Sequence, residues 1–525
     1  MPITIQNFRK KSGQPDFLTP KKPALLPALK NAPFQKYPYS QQYPIQGLLR
    51  AGLSLPCRAP SFFFLDLSNT FCNFISLILC KILLRGASLR QDKRRNSMIQ
   101  IIKGFRDILP ADILPWQEVE NTARKLFASF GFCEIRVPIM EKTELFARSI
   151  GADTDIVEKE MYTFADRKGE MLTLRPEATA GVVRAYIEHN LGHQDPVQKL
   201  YTMGPMFRRE RPQKGRFRQF SQINAEFFGV ADPQADILVI LLLHRLFEEL
   251  KVTQVTARIN SLGCPDCRPA YKQALLGHLS GKMDDLCENC RRRSAVNPLR
   301  VLDCKNPACI AAVQNAPAMR EHLCKACAAH YTDVLEGLTQ QGVPFEQDDR
   351  LVRGLDYYSK TTFEFQTKML GAQNAVAGGG RYDGLVAALG GPATPAVGFA
   401  IGQDRLVELL SAAGNQPPKG PDIFLACLGE KAASIGFSWM SSLCSLGFWA
   451  EMDYSRKSLK SQMKRADKLN ARFVLLVGEY ELQKGKALLR DMAGRDNASS
   501  GQEEIPLDNN LIDALIKKVS KGGQD

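Results

Sequence analysis

Residues 198–229 read QKLYTMGPMFRRERPQKGRFRQFSQINAEFFG. Two strand-like runs, QKLYTMGPMFRRE and GRFRQFSQINAEFFG, flank a short break at Arg211–Gly215. Runs of this kind around a Pro- and Gly-containing loop predict two strands joined as a hairpin-like unit. Six of the fourteen residues from Phe207 to Phe220 are Arg or Lys, and only Glu210 is acidic. Strand side chains alternate between faces, so Arg208, Glu210, Arg216 and Arg218 are expected to sort onto shared faces. The planar guanidinium fork suits bidentate contacts with phosphate. Six cations so close together repel unless an anion or carboxylates meet them. A hairpin laced by its own salt bridges would also satisfy them.

Outward from this hairpin the text stays regular. On the N-terminal side, GFRDILPADILPWQEVENTARKLFASFGF reads as a loop and an amphipathic helix, with Val119, Ala123, Leu126, Phe127 and Phe130 at helical spacing and Gly131 as its stop. CEIRVPIME reads as a strand, with Pro138 marking an edge or an end. LTLRPEATAGVVRAYIEHNL reads as strand, turn and helix, with Glu177 near the helix start. On the C-terminal side, helix-like sequence with paired cysteines fills about 258–335, and strands with glycine-rich turns return over about 345–410. AVGFAIGQDRLVELL is a strand running into a helix. After a Pro/Gly linker, NQPPKGP, the strands DIFLACLG, FWAEMDY and ARFVLLVG alternate with helical sequence as a small α/β domain. Strands and helices without a strict βαβ repeat favour an α+β fold, an antiparallel or mixed sheet flanked by helices.

A length of 525 residues suggests roughly three domains. The apolar fraction of 44% and charged fraction of 24% are ordinary for a globular protein. The net charge of +14 is unevenly placed: residues 1–97 hold 15 Lys and Arg against 3 Asp and Glu, leaving 54 against 52 for the rest. The body is therefore nearly neutral, and any phosphate site must be local. Residues 1–97 are Pro-, Gln- and Tyr-rich and contain SFFFLDLSNTFCNFISLILCKILL at 61–84. Asp66, Lys81 and two Asn interrupt that run, which falls short of the ~20 apolar residues of a membrane span. No cleavable signal peptide is visible. The working expectation is a functional start near Met98, with 1–97 a disordered extension or a mis-assigned start; a targeting peptide is the third reading.

Three further segments converge on the hairpin. RLVRGLDYYSKTTFEF at 350–365 offers Arg353, Asp356, Tyr357 and Tyr358; GGGRYDGL at 378–385 offers three glycines where backbone can approach a ligand; GFAIGQDRL ends near Arg405 at a helix start. With GFRDILP, RVPIME and TLRPEATAG, these motifs resemble the histidyl-tRNA synthetases, a class II aminoacyl-tRNA synthetase family, over about residues 98–525. RGLDYY and GGGRYD are the histidine-specific pair of that family pattern. Residues 1–97 have no counterpart in it.

The resemblance implies a class II antiparallel sheet flanked by helices, and a two-step, ATP-dependent, AMP-forming ligase reaction in the cytoplasm. The partners it implies are L-histidine, tRNA(His) and a second copy of the chain in a homodimer, with no membrane. It assigns Arg208 to the α-phosphate of ATP, Arg216 and Arg405 to the outer phosphates, and Glu210 to the adenine side. Arg353 is a cation opposite Arg208, so Arg208 and Arg353 are the catalytic pair. Glu177 and Thr179, with Gln222 nearby, would take the α-amino group. Glu226 and Tyr358 would grip the two imidazole nitrogens, with Tyr357 and Tyr382 beside them. Mg²⁺ is expected to bridge phosphates. The implied layout is an extension at 1–97, catalytic parts at 98–257 and 341–414, a Cys-rich insertion at 258–340 and an anticodon-binding domain at 415–525.

Of fourteen cysteines, eight form close pairs: Cys264/Cys267, Cys287/Cys290, Cys304/Cys309 and Cys324/Cys327. In a reducing compartment such spacing reads as thiolate ligands for one or two structural Zn²⁺ ions before disulfides. This is a departure from the family pattern, and the pairing stays open. His330 is a weak extra ligand candidate. Two rivals are weighed: a synthetase-like regulatory subunit of ATP phosphoribosyltransferase, which typically lacks the C-terminal domain, and a zinc-stabilised RNA-binding module, which has no need of RGLDYY.

Overall fold

A computed structural model describes residues 98–525 apart from 152–153, 155, 211–214, 370–373, 413–419, 493–500 and 522–525. The extension at 1–97, the loop cations Arg211 and Lys214, and most of the 415–421 linker thus lie outside the described residues.

In chain order, β1 (Cys133–Glu134) begins the main sheet, and β2 (Met140–Lys142), β3 (Tyr162–Ala165) and β4 (Met171–Leu174) form a small antiparallel one. The main sheet continues with β5 (Gln198–Phe207), β6 (Gln219–Phe228), β7 (Thr256–Ser261), β8 (Phe345–Gln347), β9 (Ser359–Gln366), β10 (Ala375–Arg381) and β11 (Ala396–Gly402). Its spatial order is β1-β5-β6-β11-β10-β9-β7-β8. Six central strands are antiparallel, and the two short outer ones, β1 and β8, pair in parallel. The expected hairpin is β5–β6, in register from Gln198↔Phe228 to Phe207↔Gln219.

Alternation gives this sheet two different faces. Tyr201, Ile223, Ala225, Phe227, Ile259, Phe363, Phe365, Val397, Phe399 and Ile401 enter one core with helices Ile113–Ser129, Pro233–Glu249, Lys325–Gln340 and Gln403–Ala412. The residues between them, Gln222, Asn224, Glu226, Glu364, Ala400 and Gly402, belong to the opposite, polar face. Gly131, at φ 78°, ends the first helix where a Cβ would be strained.

CEIRVPIME differs from the single strand expected. Cys133–Glu134 pair with β5, Met140–Lys142 pair with β4, and the segment around Pro138 is irregular, as a residue without an N–H donor allows. The insertion boundaries at 258 and 340 also need trimming. β7 belongs to the main sheet, and Tyr331, Val334 and Leu338 of helix Lys325–Gln340 pack into its core. The Cys-rich unit has its own core, from Cys267 to Cys327 around Tyr271, Leu275, Leu279 and Val301.

The C-terminal unit is built on β12 (Ile423–Cys427), β13 (Ala450–Met452), β14 (Phe473–Val477), β15 (Lys486–Asp491) and β16 (Gln502–Pro506), in the order β13-β12-β14-β15-β16. The first three are parallel and the last two antiparallel. Helices Glu430–Ser445 and Leu511–Lys521 share one core with the sheet, and Leu459–Lys468 contributes Ala466 to another. Among the described residues no helix is long and apolar enough to cross a membrane.

Candidate active site

The polar face of the main sheet floors a cavity of about 760 Å³, within the range of small-molecule sites. Its walls include Glu177, Thr179, Arg208, Glu210, Arg216, Gln222, Arg353, Tyr357, Tyr358 and Arg405, so ten of the residues expected in the site share one space. Glu226 and Tyr382 are not on that wall. They sit against it, fully buried, and reach it through Thr179.

Glu177 lies two residues before the helix Thr179–Glu188, and its two carboxylate oxygens accept from the backbone N–H groups of Thr179 and Ala180 at 2.7 and 2.8 Å. A carboxylate here satisfies otherwise unpaired amides at a helix start. Burial pushes the Glu177 carboxyl up, and the two amides pull it back down only in part. Thr179 donates from Oγ1 to Glu226 at 2.7 Å, and the Tyr382 hydroxyl donates to the other Glu226 oxygen. Burial raises Glu226 to about 8, against the pull of the Tyr382 and Thr179 hydrogen bonds. Near neutral pH this carboxyl therefore keeps a proton that it can place in a hydrogen bond. Tyr357, Tyr358 and Tyr382 form a ring cluster with centroids 4.6 to 6.5 Å apart.

The glycines of GGGRYDGL make room for protein groups, and Gly378 also lines the cavity. A Cβ on Gly378 would lie 2.4 Å from Arg353, on Gly379 2.0 Å from the Gly398 carbonyl, and on Gly380 2.6 Å from the Thr361 carbonyl. A Cβ on Gly398 would lie 1.9 Å from Glu226. Gly378 and Gly398 are thus the spaces that Arg353 and Glu226 occupy. Arg353 is held by Glu364 at 2.6 Å, and its buried Nε has no protein partner.

The cations of the hairpin divide. Arg208 is anchored by Nε to the Pro176 carbonyl at 2.9 Å and lies over the Phe220 ring. Glu210, buried, bridges it: Arg208 is 3.8 Å away and Arg216 makes a direct ion pair. Arg209 instead lies over Tyr162, 6.0 Å from its centroid. Arg218 leaves the expected shared face and donates to the carbonyls of Glu210 and Lys103. Arg405, from the start of helix Gln403–Ala412, is bonded to the Ala375 carbonyl, and burial and the Arg216 charge lower its pKa.

Several residues escaped the sequence reading. Asn224 is 1% exposed, lines the cavity between Gln222 and Glu226, and neither polar atom of its side chain has a partner. Its parity with those two on β6 was the available signal. Arg106 of GFRDILP pairs with Asp404 at 2.7 Å and stacks between Trp116 and Phe217, while Asp404 also accepts from the Ser221 amide. Arg175 and Arg381, inside the motifs, are structural. Arg175 donates to Pro205 and Val137 carbonyls, and Arg381 pairs with buried Asp236. His330 is 3.4 Å from the same Asp236 and away from the cysteines' sulfurs, which corrects its reading as a metal ligand.

The eight paired cysteines gather as two tetrads, Cys264/Cys267/Cys324/Cys327 and Cys287/Cys290/Cys304/Cys309, with the four sulfurs of each within 4.8 Å of one another. The backbone N–H groups of Cys290 and Cys327 pull the Cys287 and Cys324 thiols down to about 7. Either tetrad could hold a metal ion.

The family profile described as histidyl-tRNA synthetase matches residues 104–406, and that of the anticodon binding domain matches 422–518. The chain is 58% identical over 425 residues to the histidine–tRNA ligase of Desulfatibacillum aliphaticivorans, covering 81% of this chain and all of that one. It is 54% identical over 420 residues to the enzyme of the same name from Geobacter sulfurreducens, covering 80% and 100%. The crystal structure of apo S. aureus histidyl-tRNA synthetase superposes with a TM-score of 0.66 at 33% identity, covering 80% of this chain and 100% of that one. An ATP phosphoribosyltransferase regulatory subunit/histidyl-tRNA synthetase from Bacillus halodurans C, at 20% identity and TM-score 0.55 over 73% of this chain and 99% of that one, shares the fold. The matched profile covers both the hairpin cations and the buried Glu226 floor, and this chain belongs to the histidyl-tRNA synthetase family.

Proposed function

We propose that this chain is a histidine–tRNA ligase, and that the cavity on the polar face of the main sheet performs both of its steps. In the first, a carboxylate oxygen of histidine attacks the α-phosphorus of ATP, forming histidyl-adenylate as pyrophosphate leaves. In the second, a hydroxyl at the 3′ end of tRNA(His) attacks the histidyl carbonyl, and AMP leaves. The observation that carries this reading is the junction of two unlike surfaces in one cavity. Arg208, Arg216 and Arg405 line it together with Glu177 and Thr179, and behind Thr179 the hydrogen bonds continue to the buried Glu226 and Tyr382.

Phosphoryl transfer needs charge stabilisation and alignment more than covalent help. In this reading Arg208 holds the α-phosphate, and Arg353 faces it as the second catalytic cation. Arg216 and Arg405 take the outer phosphates. Glu210, which pairs with Arg216, serves the nucleotide's adenine side. Mg²⁺ would neutralise the phosphates, and Glu210 and Glu364 are carboxylates on the same wall. Glu177 and Thr179, with Gln222, take the α-amino group. Gln222 Oε1 has no protein partner, as an acceptor reserved for substrate should not. Glu226 and Tyr358 read the imidazole. A pocket that pairs both ring nitrogens rejects analogues lacking them by ~10⁴ or more.

The cysteine tetrads are part of the proposal as structural Zn²⁺ sites. Tetrahedral Zn–S bonds of ~2.3 Å place sulfurs roughly 3.8 Å apart. Cys264–Cys267 and Cys287–Cys304 are at 3.5 and 3.9 Å. A homodimer in the cytoplasm completes the reading; Ile139 and Met140, in the RVPIME segment, are exposed apolar residues suited to a second copy. The regulatory-subunit alternative is disfavoured by the intact cation set and by the C-terminal match at 422–518. Aminoacylation of tRNA(His) with labelled histidine tests the reading. The wild type should charge it, Arg208→Ala should lose charging by about 10² to 10³, and a wild type that charges nothing would refute it.

A further inference from the structure

The two cysteine tetrads do not hold equivalent places. Cys264 and Cys267 lie where the chain leaves β7, and Cys324 and Cys327 where it returns to helix Lys325–Gln340. The first tetrad therefore closes the neck of the Cys-rich unit. The second, Cys287/Cys290/Cys304/Cys309, is internal to the unit, yet it reaches the catalytic cavity by two routes.

The first route is direct. Leu302, Asp303, Cys304 and Lys305 are part of the cavity wall. Residues 302–306 form no helix or strand. A turn bond from the Cys304 amide to the Val301 carbonyl, at 3.1 Å, restrains them, and the Cys304 sulfur accepts from the Asn306 amide at 3.4 Å. The second route runs through a salt bridge. Asn297 and Arg300, in the chain between Cys290 and Cys304, donate to Asp356 at 3.1 and 2.9 Å. Asp356 precedes Tyr357 and Tyr358, and residues 351–358 also lack regular structure. The loop that carries Arg353 and the two tyrosines thus leans on the Cys-rich unit. The core of that unit is small, and of its twelve buried residues four are cysteines. Such small cores draw their stability from metal binding.

We propose that the second tetrad binds its own Zn²⁺-class cation, separate from the one at the neck, and that this ion sets the affinity for histidine by fixing the 302–306 wall and, through Asn297 and Arg300, the loop from Arg353 to Tyr358. The proposal rests on reading the cavity as the site of histidine activation. The ion takes no part in the chemistry; it positions the residues that do.

The test uses the full chain and three readouts: bound metal by elemental analysis, hydrogen exchange, and histidine KM in ATP–pyrophosphate exchange. The wild type should carry two zinc ions per chain. Cys287→Ser with Cys304→Ser should carry one, exchange faster at 298–313 and at 353–358, and show a histidine KM raised roughly 10-fold or more with ATP KM changed less. Arg300→Ala should keep both ions and raise histidine KM in the same direction, which separates positioning from a general loss of folding. A wild type with a single ion, a double variant that keeps two, or an Arg300→Ala protein with wild-type histidine KM and wild-type exchange at 353–358 would overturn the proposal. Absence of exchange activity in the wild type would overturn the functional reading and the affinity clause with it, while the metal counts would still decide the second site.

Discussion

The catalytic face of the main sheet and the Cys-rich unit beside it both bury groups that prefer water, and they satisfy them by different means. On the catalytic face the partners come from the protein. Glu177 takes two amides, Glu226 takes a threonine and a tyrosine hydroxyl, and Arg353 takes Glu364. In the Cys-rich unit the sulfurs of each tetrad find one another and a few amides. A carboxylate can be held in place by neutral donors, but four clustered thiolates repel and call for a cation. The lesson is that the first region should be in place before any ligand arrives, whereas the second should depend on an ion.

The largest expected effect follows from that contrast. Stripping metal with a strong chelator should unfold the Cys-rich unit, since structural zinc contributes an apparent ~10–16 kcal/mol in small domains. Limited proteolysis should then cut within 264–327 and spare β5–β6 and the C-terminal unit. Protection of 264–327 in metal-free protein would break the comparison. Next is the buried Arg381–Asp236 pair, both residues with 0% side-chain exposure, which ties the end of β10 to helix Pro233–Glu249. Asp236→Ala would leave the buried Arg381 guanidinium to the more exposed Asp383, at 3.2 Å, in place of its closest carboxylate, at a cost of up to about 3–5 kcal/mol in denaturant unfolding. Burial works against the Asp236 charge, but His330 and Arg381 hold its pKa below the ordinary range, so the charged pair is the state to be broken.

Smaller effects sharpen the account of the catalytic face. Gly398→Ala should displace Glu226 and lower histidine-dependent exchange by roughly 10²-fold, with far-UV dichroism unchanged. Asn224→Ala removes an amide whose two polar atoms have no protein partner, so it should leave stability near wild type and raise histidine KM roughly 10-fold. A further effect is a pH slope. The folded state keeps the Glu226 proton up to about 8, whereas an unfolded carboxyl loses it near 4.5. The folded state thus binds the extra proton between those values, and the stability it confers is lost as pH rises through that window. Glu226→Gln should flatten the decline of Tm between pH 5 and 8; parallel curves for the two proteins would contradict the buried, protonated carboxyl.

Much of this was legible in the sequence, for identifiable reasons. The family resemblance supplied Gln222 and Glu226, which share one parity on β6; Asn224 has the same parity and was passed over because an uncharged amide in a strand carries no signal of its own. Glu226's partners, Thr179 and Tyr382, lie 47 and 156 residues away and meet it only once β6, β10 and β11 are assembled. The arginines of the motifs look alike in one dimension. Arg208 and Arg216 reach the cavity, whereas Arg175 and Arg381 are buried among carbonyls and a carboxylate, a distinction set by packing. Cysteine spacing announced four close pairs but not which pairs meet. The tetrads nest, the outermost pairs meeting each other, because the chain must leave β7 and return beside it.

Histidine-dependent ATP–pyrophosphate exchange by the purified full chain, run against each of the other amino acids, tests the central claim most directly. The account predicts exchange with histidine alone, and its loss by about 10³-fold or more in Glu226→Ala with the fold retained. No exchange with histidine, or undiminished exchange in Glu226→Ala, would contradict it.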